Sequence, residues 1–399
     1  MSSRMLKKSA SIRRPLFGLF GLSGLSGFWL NETNQMNQMS KTDRLIVNRL
    51  LQHSAIVVFA LCLVVVSSLA PVSAAEQSDA AQQHYERGAA LLKNGDLAAA
   101  SEAARKAIAL NPSSAEAHHL LGLIYFKEKK AAQAVDAFTI AIKLKPAYPD
   151  ALNDLAEVYL IQGKSAEAEQ ALKRAIEIDP RHANSYFDLA KLYEQRRDFA
   201  SAIKTYQALL AVHPNHRDGL YNLALLYEAQ GDSRMARETV GRLLKLDPKY
   251  ADGWYLAGRM AEKDNAIAEA ADSYSRAIAA KPSFVAAHYN LSFIHRSQGR
   301  PVEAERELVE VLRYRPEYAE AHMNLGVIYT GLNRLDEAEQ SYERAVALKP
   351  NYAEAHYNLG VFYELHRKDL PKALAQYHQY LDLGGRDDRV KRIVGSGGR

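Results

Sequence analysis

The sequence predicts an all-α protein, a solenoid of nine helix-turn-helix units, and three observations carry that prediction. The phrase Tyr357-Asn358-Leu359-Gly360-Val361-Phe362-Tyr363 returns as His322-Met323-Asn324-Leu325-Gly326-Val327-Ile328-Tyr329. With substitutions it returns again as Tyr289-Asn290-Leu291-Ser292, Tyr221-Asn222-Leu223-Ala224 and Leu121-Gly122-Leu123-Ile124-Tyr125. Prolines stand at 112, 146, 180, 214, 248, 282, 316 and 350, spaced by 34 residues without exception. Inside each interval the apolar residues follow a 3.6-residue period along two stretches. A fixed period of this length implies stacked units, none of which buries its apolar face alone.

With each proline set as position 32, the units begin at Ala81, Ala115, Pro149, Ala183, Arg217, Ala251, Val285, Ala319 and Ala353. Apolar residues at positions 7, 8 and 11 share one face of a first helix, and those at 20, 24 and 27 share one face of a second. Position 8 is Gly or Ala in every unit but the seventh, which has Ser292, and position 20 is Ala from Ala100 to Ala338. Small residues at 8 and 20 let the two backbones approach, and large ones at 11 and 24 fill the space beside them. Between the helices Gly95, Gly163, Gly231 and Gly299 alternate with Lys129, Arg197, Asn265 and Asn333, and Gly and Asn there suit a left-handed helix C-terminus. The recurring proline ends the second helix, because it has no N–H to continue the ladder.

Four units depart from the pattern. Unit one has Arg87 and Leu91 at positions 7 and 11, as an exposed capping unit would. Unit six has Ala257 and Ala261 there, and unit seven has His295 at position 11. Unit nine carries one extra residue around Lys368 to Lys372, displacing Ala373, Tyr377 and Tyr380 by one, which predicts a longer turn and an unbroken helix.

The positions quoted resemble the tetratricopeptide repeat (TPR), and the match covers about residues 81–385. The resemblance implies a right-handed α-solenoid of nine helix-turn-helix TPR units and a non-catalytic scaffold that binds protein or peptide segments in its concave groove. In this family position 6 faces the inside of the superhelix. Here it is Asp154, Asp188, Asn222, Asn290, Asn324 and Asn358, and the last three stand in consecutive units. An amide both donates and accepts, so a ladder of them holds a peptide backbone without reading its side chains. This ladder resembles the one in the repeat domain of the protein O-GlcNAc transferases. Positions 5 and 9 add Tyr289, Phe293, Met323, Val327, Tyr357 and Val361, an aromatic and aliphatic lining. The competing role for the same amides is structural, bonding neighbouring helices. Asp150, Asp154, Glu157 and Asp188 make the N-terminal half suited to basic segments. A carboxylate clamp is disfavoured, since Lys191, Arg259 and Arg296 are scattered.

Composition and motifs narrow the function classes. Of 51 Lys and Arg and 46 Asp and Glu in 399 residues, eight bases and two acids precede Glu76, leaving 43 against 44 from Glu76 onward. The formal charge of +5 therefore belongs to the leader, and nucleic acid is not an expected partner. Cys62 is the one cysteine, so thiol catalysis and cysteine-ligated metals drop out. No phosphate-binding loop, dinucleotide glycine loop, Gly-x-Ser-x-Gly elbow or His-Glu-x-x-His helix is present, and no cofactor is implied. His84, His118, His288, His322 and His356 share position 4, but an intervening helix holds successive copies ~10 Å apart, too far for one metal ion. They are expected to pack at helix junctions. The alternative to a free-standing scaffold is an adaptor for a glycosyltransferase-type enzyme carried on another chain.

Residues 1–75 read as a leader. Residues 55–70 form the one long uncharged apolar run, preceded by Lys41, Arg44 and Arg49 and followed by Pro71-Val72-Ser73-Ala74-Ala75. That order is a secretory signal peptide cleaved after Ala74 or Ala75, or an uncleaved anchor, with membrane contact confined to residues 55–75. Leu61 before Cys62 excludes a lipoprotein site. A start at Met36 or Met39 gives an ordinary leader length, whereas Met1 implies an extended one. The expected organisation is leader 1–75, linker 76–80, array 81–385 and basic tail 386–399. The product is exported, periplasmic or secreted, serving cell-envelope assembly or secretion; the alternative is a membrane-anchored assembly subunit with its repeats outside the cytoplasm.

Overall fold

A computed structural model of the chain describes residues 40–42 and 74–395. The apolar run, the candidate start codons and the last four residues of the tail lie outside the described residues, whereas Ala74 and Ala75, expected at the cleavage point, open the helix Ala74–Lys93. The chain divides into two compact units, Met1–Asp79 and Ala80–Arg399, and the second holds the array.

Among the described residues there are nineteen α-helices and no strand. Nine pairs follow the predicted units: α1 (Ala74–Lys93) with α2 (Leu97–Leu110), α3 (Ala115–Lys127) with α4 (Ala131–Leu144), and α5 (Pro149–Ile161) with α6 (Ser165–Ile178). Next come α7 (Ala183–Gln195) with α8 (Phe199–Val212), α9 (Arg217–Ala229) with α10 (Ser233–Leu246), and α11 (Ala251–Lys263) with α12 (Ile267–Ala280). The array closes with α13 (Val285–Ser297) and α14 (Pro301–Tyr314), α15 (Ala319–Gly331) and α16 (Leu335–Leu348), α17 (Ala353–Phe362) and α18 (Leu370–Asp382), then α19 (Asp388–Gly395). Residues 76–80, expected as a linker, belong to α1.

The turn inside each unit follows from backbone chemistry. Every residue named for that turn has positive φ, from Gly95 at 84° and Gly163 at 73° to Lys129 at 61° and Asn333 at 58°. In unit two the Lys130 N–H donates to the Tyr125 carbonyl at 2.8 Å, closing the first helix in a Schellman-type turn. Asp96, Asp198, Asp232 and Asp369 then cap the second helices, each carboxylate accepting from the N–H three residues on.

The core pairs position 8 with position 24 by volume. Gly122 faces Phe138, Gly258 faces Tyr274, Gly326 faces Tyr342 and Gly360 faces Tyr377, each ring so near that a Cβ on the glycine would stand 2.6 Å from it. Buried Ala156, Ala224 and Ser292 are matched in sequence by Leu172, Val240 and Leu308, also buried; only unit four sets a ring, Tyr206, at the position matching an alanine, Ala190. A buried phenol also needs a polar partner. Position 12 supplies it: Tyr206 donates to Glu194 at 2.5 Å, Tyr274 to Glu262 at 2.7 Å and Tyr377 to Glu364, while the Tyr342 hydroxyl lies 3.4 Å from Thr330 Oγ1. Phe138 has no hydroxyl, and position 12 of its unit is Phe126.

Position 4 joins successive units. His118, His288, His322 and His356 place Nε2 at 2.9–3.1 Å from the carbonyls of Pro112, Pro282, Pro316 and Pro350, and Trp254 donates from Nε1 to Pro248 at 2.8 Å. A ring N–H at this position satisfies a carbonyl left over at the end of the preceding second helix.

Unit nine corrects one expectation. Its extra residue enters the first helix as a π-helical turn, Tyr363–Arg367, and the following turn is not lengthened: Lys368 takes the positive φ of 55° and Asp369 the cap. A single insertion is absorbed at the helix end because widening one turn keeps Tyr377 over Gly360. Beyond Gly385, α19 packs on α18 with Val390 fully buried, and Arg389 donates to Glu364 at 2.6 Å. Val390, Val394 and Gly395 stand where positions 3, 7 and 8 of a further first helix would fall.

Candidate functional site

The residues proposed for the groove lie on the odd-numbered helices, and the structure knits them together along the array. Position 6 of one unit meets position 5 of the unit before. Asn290 Nδ2 reaches the Tyr255 hydroxyl at 3.5 Å, Asn324 Nδ2 donates to the Tyr289 hydroxyl at 3.1 Å, and Asn358 Nδ2 lies 3.3 Å from Met323 Sδ. The same step occurs in the acidic half, where His119 Nε2 meets Asp154 at 2.6 Å and Asn153 donates to Asp188 at 2.9 Å.

The ten residues differ in what they leave available. Asn324 and Met323 are each 4 % exposed. The Asn324 amide also donates to the Glu320 carbonyl at 2.8 Å and accepts from Arg296 at 3.2 Å, so it is committed to the protein. Asn222, Tyr289, Asn290, Phe293, Val327, Tyr357, Asn358 and Val361 are part-exposed. Asn290 donates to the Tyr274 hydroxyl at 3.1 Å, and Tyr357 lies 3.5 Å from Asp387, at the start of the tail. Burial, with Tyr318 and Glu320 nearby, pushes the Tyr289 phenol up to about 12, so it remains a neutral hydroxyl.

A periodic set of aromatic contacts accompanies these amides. The position 5 ring pairs with the aromatic residue that precedes the next first helix: Phe187 with His216 at 5.4 Å, Tyr221 with Tyr250 at 5.5 Å, Tyr255 with Phe284 at 5.0 Å and Tyr289 with Tyr318 at 5.2 Å. Tilted rings at such distances add about 0.5–1.5 kcal/mol each beyond their burial. At the other end Tyr148, His119 and Asp154 form one hydrogen-bonded chain, and Asp188, Asn153, Ser185, His182 and Asp150 form another. Burial and the neighbouring Asp154 raise the pKa of Asp188, and burial with Asp188 and Asp154 raises that of Glu157. Among the described residues no three His, Cys, Asp or Glu side chains converge on a point where a metal ion would sit.

Two kinds of family model match. Tetratricopeptide repeat models match residues 221–283, 289–353 and 331–388, and a model described as the TPR domain of cytochrome c-type biogenesis protein H matches residues 72–219. The chain is a tetratricopeptide repeat protein. Neither model describes an enzyme. No curated protein matches the chain. Among solved structures it is similar to PilF of Pseudomonas aeruginosa, at 21 % identity and a TM-score of 0.46, covering 52 % of this chain and 94 % of that one. A tetratricopeptide repeat protein of Parabacteroides merdae is 17 % identical with a TM-score of 0.44, over 62 % and 98 % of the two chains. The C-terminal part of a repeat-containing protein of Cytophaga hutchinsonii is 17 % identical with a TM-score of 0.46, over 69 % and 99 %.

Within the tetratricopeptide array, the sequence reading of the face passed over Phe187, Tyr221 and Tyr255, which continue the Tyr289 series toward the N-terminus. The signal in the sequence is an aromatic residue at position 5 of four consecutive units, from Phe187 to Tyr289. Among the described residues no helix is long and apolar enough to cross a membrane.

Proposed function

We propose that the protein is a non-catalytic scaffold that binds an extended protein segment along the face made by positions 5, 6 and 9 of its first helices. The observation that carries this reading is the part-exposed aromatic series Phe187, Tyr221, Tyr255, Tyr289 and Tyr357 beside the amides of Asn222, Asn290 and Asn358. Rings give contact area at small entropic loss, and amides hold a backbone without demanding particular side chains. The acids at Asp150, Asp154, Glu157 and Asp188 favour a segment with a basic end. Assembly of exported or envelope proteins is the process that fits, with the cytochrome c-type biogenesis model over residues 72–219 as its support. In this reading residues 1–75 export or anchor the array 81–385, and residues 386–399 form a tail.

The test is capture of partners from an envelope extract by the full chain and by a variant with Tyr255, Tyr289 and Tyr357 changed to Ala. Loss of the captured proteins with helical content retained supports the reading. Identical capture by both overturns it. Alkaline washing of membranes separates export from anchoring, since release of the protein speaks against an anchor.

A further inference from the structure

Unit seven holds a position 4 histidine whose Nδ1 faces a carboxylate. His288 is 5 % exposed, and both its ring nitrogens face acceptors: Nε2 the Pro282 carbonyl at 2.9 Å, Nδ1 the Glu307 carboxylate at 2.5 Å. A neutral imidazole has one N–H and meets one of these while its other lone pair points at the second. The arrangement is satisfied only when the pair carries one extra proton. Unit nine is the built-in comparison. His356 is 7 % exposed and bonds Pro350 in the same way, and its Nδ1 lies 2.7 Å from Oε1 of Gln376, which stands in the place of Glu307; that amide is uncharged and can turn its NH2 to the ring, which a carboxylate cannot.

We propose that the His288–Glu307 pair is a proton-operated clamp between α13 and α14, closed when the pair is protonated and loosened when the proton leaves. The His288 side chain is 6 % and the Glu307 side chain 21 % exposed, and loss of the proton leaves a carboxylate against an imidazole lone pair. The other charges around it do not replace the proton. From α14, Glu310 also acts on His288 and holds Arg313 at 3.3 Å. At the preceding unit, Arg276 of α12 lies over Trp254 at 4.7 Å and Lys281 over Phe284 at 5.2 Å. From α15, His322 is engaged with Pro316. On α13 itself His295 also feels Glu307, and its buried Nδ1 has no partner. Burial alone lowers the His288 pKa, and Glu307 with the Pro282 carbonyl outweighs burial, so the ring titrates above the ordinary histidine value. Because α13 also carries Tyr289, Asn290 and Phe293, the clamp governs how firmly that part of the proposed binding face is held; this last step rests on the function proposed above.

Hydrogen exchange of the full chain at pH 6 and pH 8, corrected for intrinsic rates, tests the clamp without any ligand. The expected result is a several-fold loss of protection in α13 and α14 at pH 8, with α17 and α18 unchanged, and no such loss in Glu307→Gln, which recreates the unit nine pairing. Side-chain NMR of the unaltered protein should show His288 titrating above the ordinary histidine value. Equal protection of unit seven at both pH values, or a loss that persists in Glu307→Gln, overturns the clamp. If the clamp holds while partner capture shows no pH dependence, the clamp stands and its link to the binding face falls.

Discussion

Gly326 and Tyr342 are in such close contact that a Cβ on the glycine would lie 2.6 Å from Cδ1 and Cε1 of the ring. Their fit sets the spacing of α15 and α16. Gly326→Ala should force the helices apart and destabilise unit eight by about 1–3 kcal/mol, as overpacking does. Tyr342→Leu in the same chain should recover much of that loss, since Ala156 with Leu172 is the combination unit three already carries. Chemical denaturation of the two single variants and the double variant gives the coupling energy; simple additivity would refute the pairing.

Lys129 has φ of 61°, a region that disfavours a side chain. Lys129→Gly is expected to stabilise unit two by roughly 0.5–1 kcal/mol, whereas Gly163→Ala, with φ of 73°, should destabilise unit three by about 1 kcal/mol. Opposite shifts of the thermal midpoint in the two variants are the check.

Asn324 and Asn358 occupy the same position in adjacent units and should behave differently. Asn324→Ala strips partners from Tyr289, Glu320 and Arg296 and should cost about 1–3 kcal/mol of stability. Asn358→Ala removes one contact to sulfur and should change stability by less than about 0.5 kcal/mol while weakening partner capture. Denaturation and capture measured on the same preparations separate the two roles.

Asp188 has its pKa raised by burial and by Asp154, against the opposing bond from Asn153. A carboxyl whose folded pKa lies above its unfolded value adds stability below the unfolded value and loses it as pH rises through the folded one. Above that window the ionised group is a burden on the fold. Asp188→Asn should therefore raise the thermal midpoint at pH 7 and have a smaller effect near pH 4, where the native carboxyl is taking up its proton; an equal change at both pH values would count against this.

Much of the fold was legible because it is local and repeated. The 34-residue period, the small residues at 8 and 20 and the turn residues at Gly95 or Asn333 each state a backbone requirement that the chain meets within one unit. The histidines at position 4 were legible as junction residues, but not their bonds to the proline carbonyls, which depend on how one unit ends against the next. The extra residue in unit nine was visible too. Its place was not, since a longer turn and a π-helical turn use the same number of residues and differ in whether Tyr377 still lies over Gly360.

By itself the sequence determined the number of units, the helix pairs and the residues that stand at each position, because helix period and turn chemistry act over a few neighbours. Tertiary structure alone decided how far each position 6 amide is committed to the protein. Asn324 is closed off by Arg296 and Tyr289, 28 and 35 residues away, while Asn358 of the same sequence phrase is not. A repeated motif shares its local geometry with every copy, but the partners of a polar side chain come from the neighbouring units, and those differ.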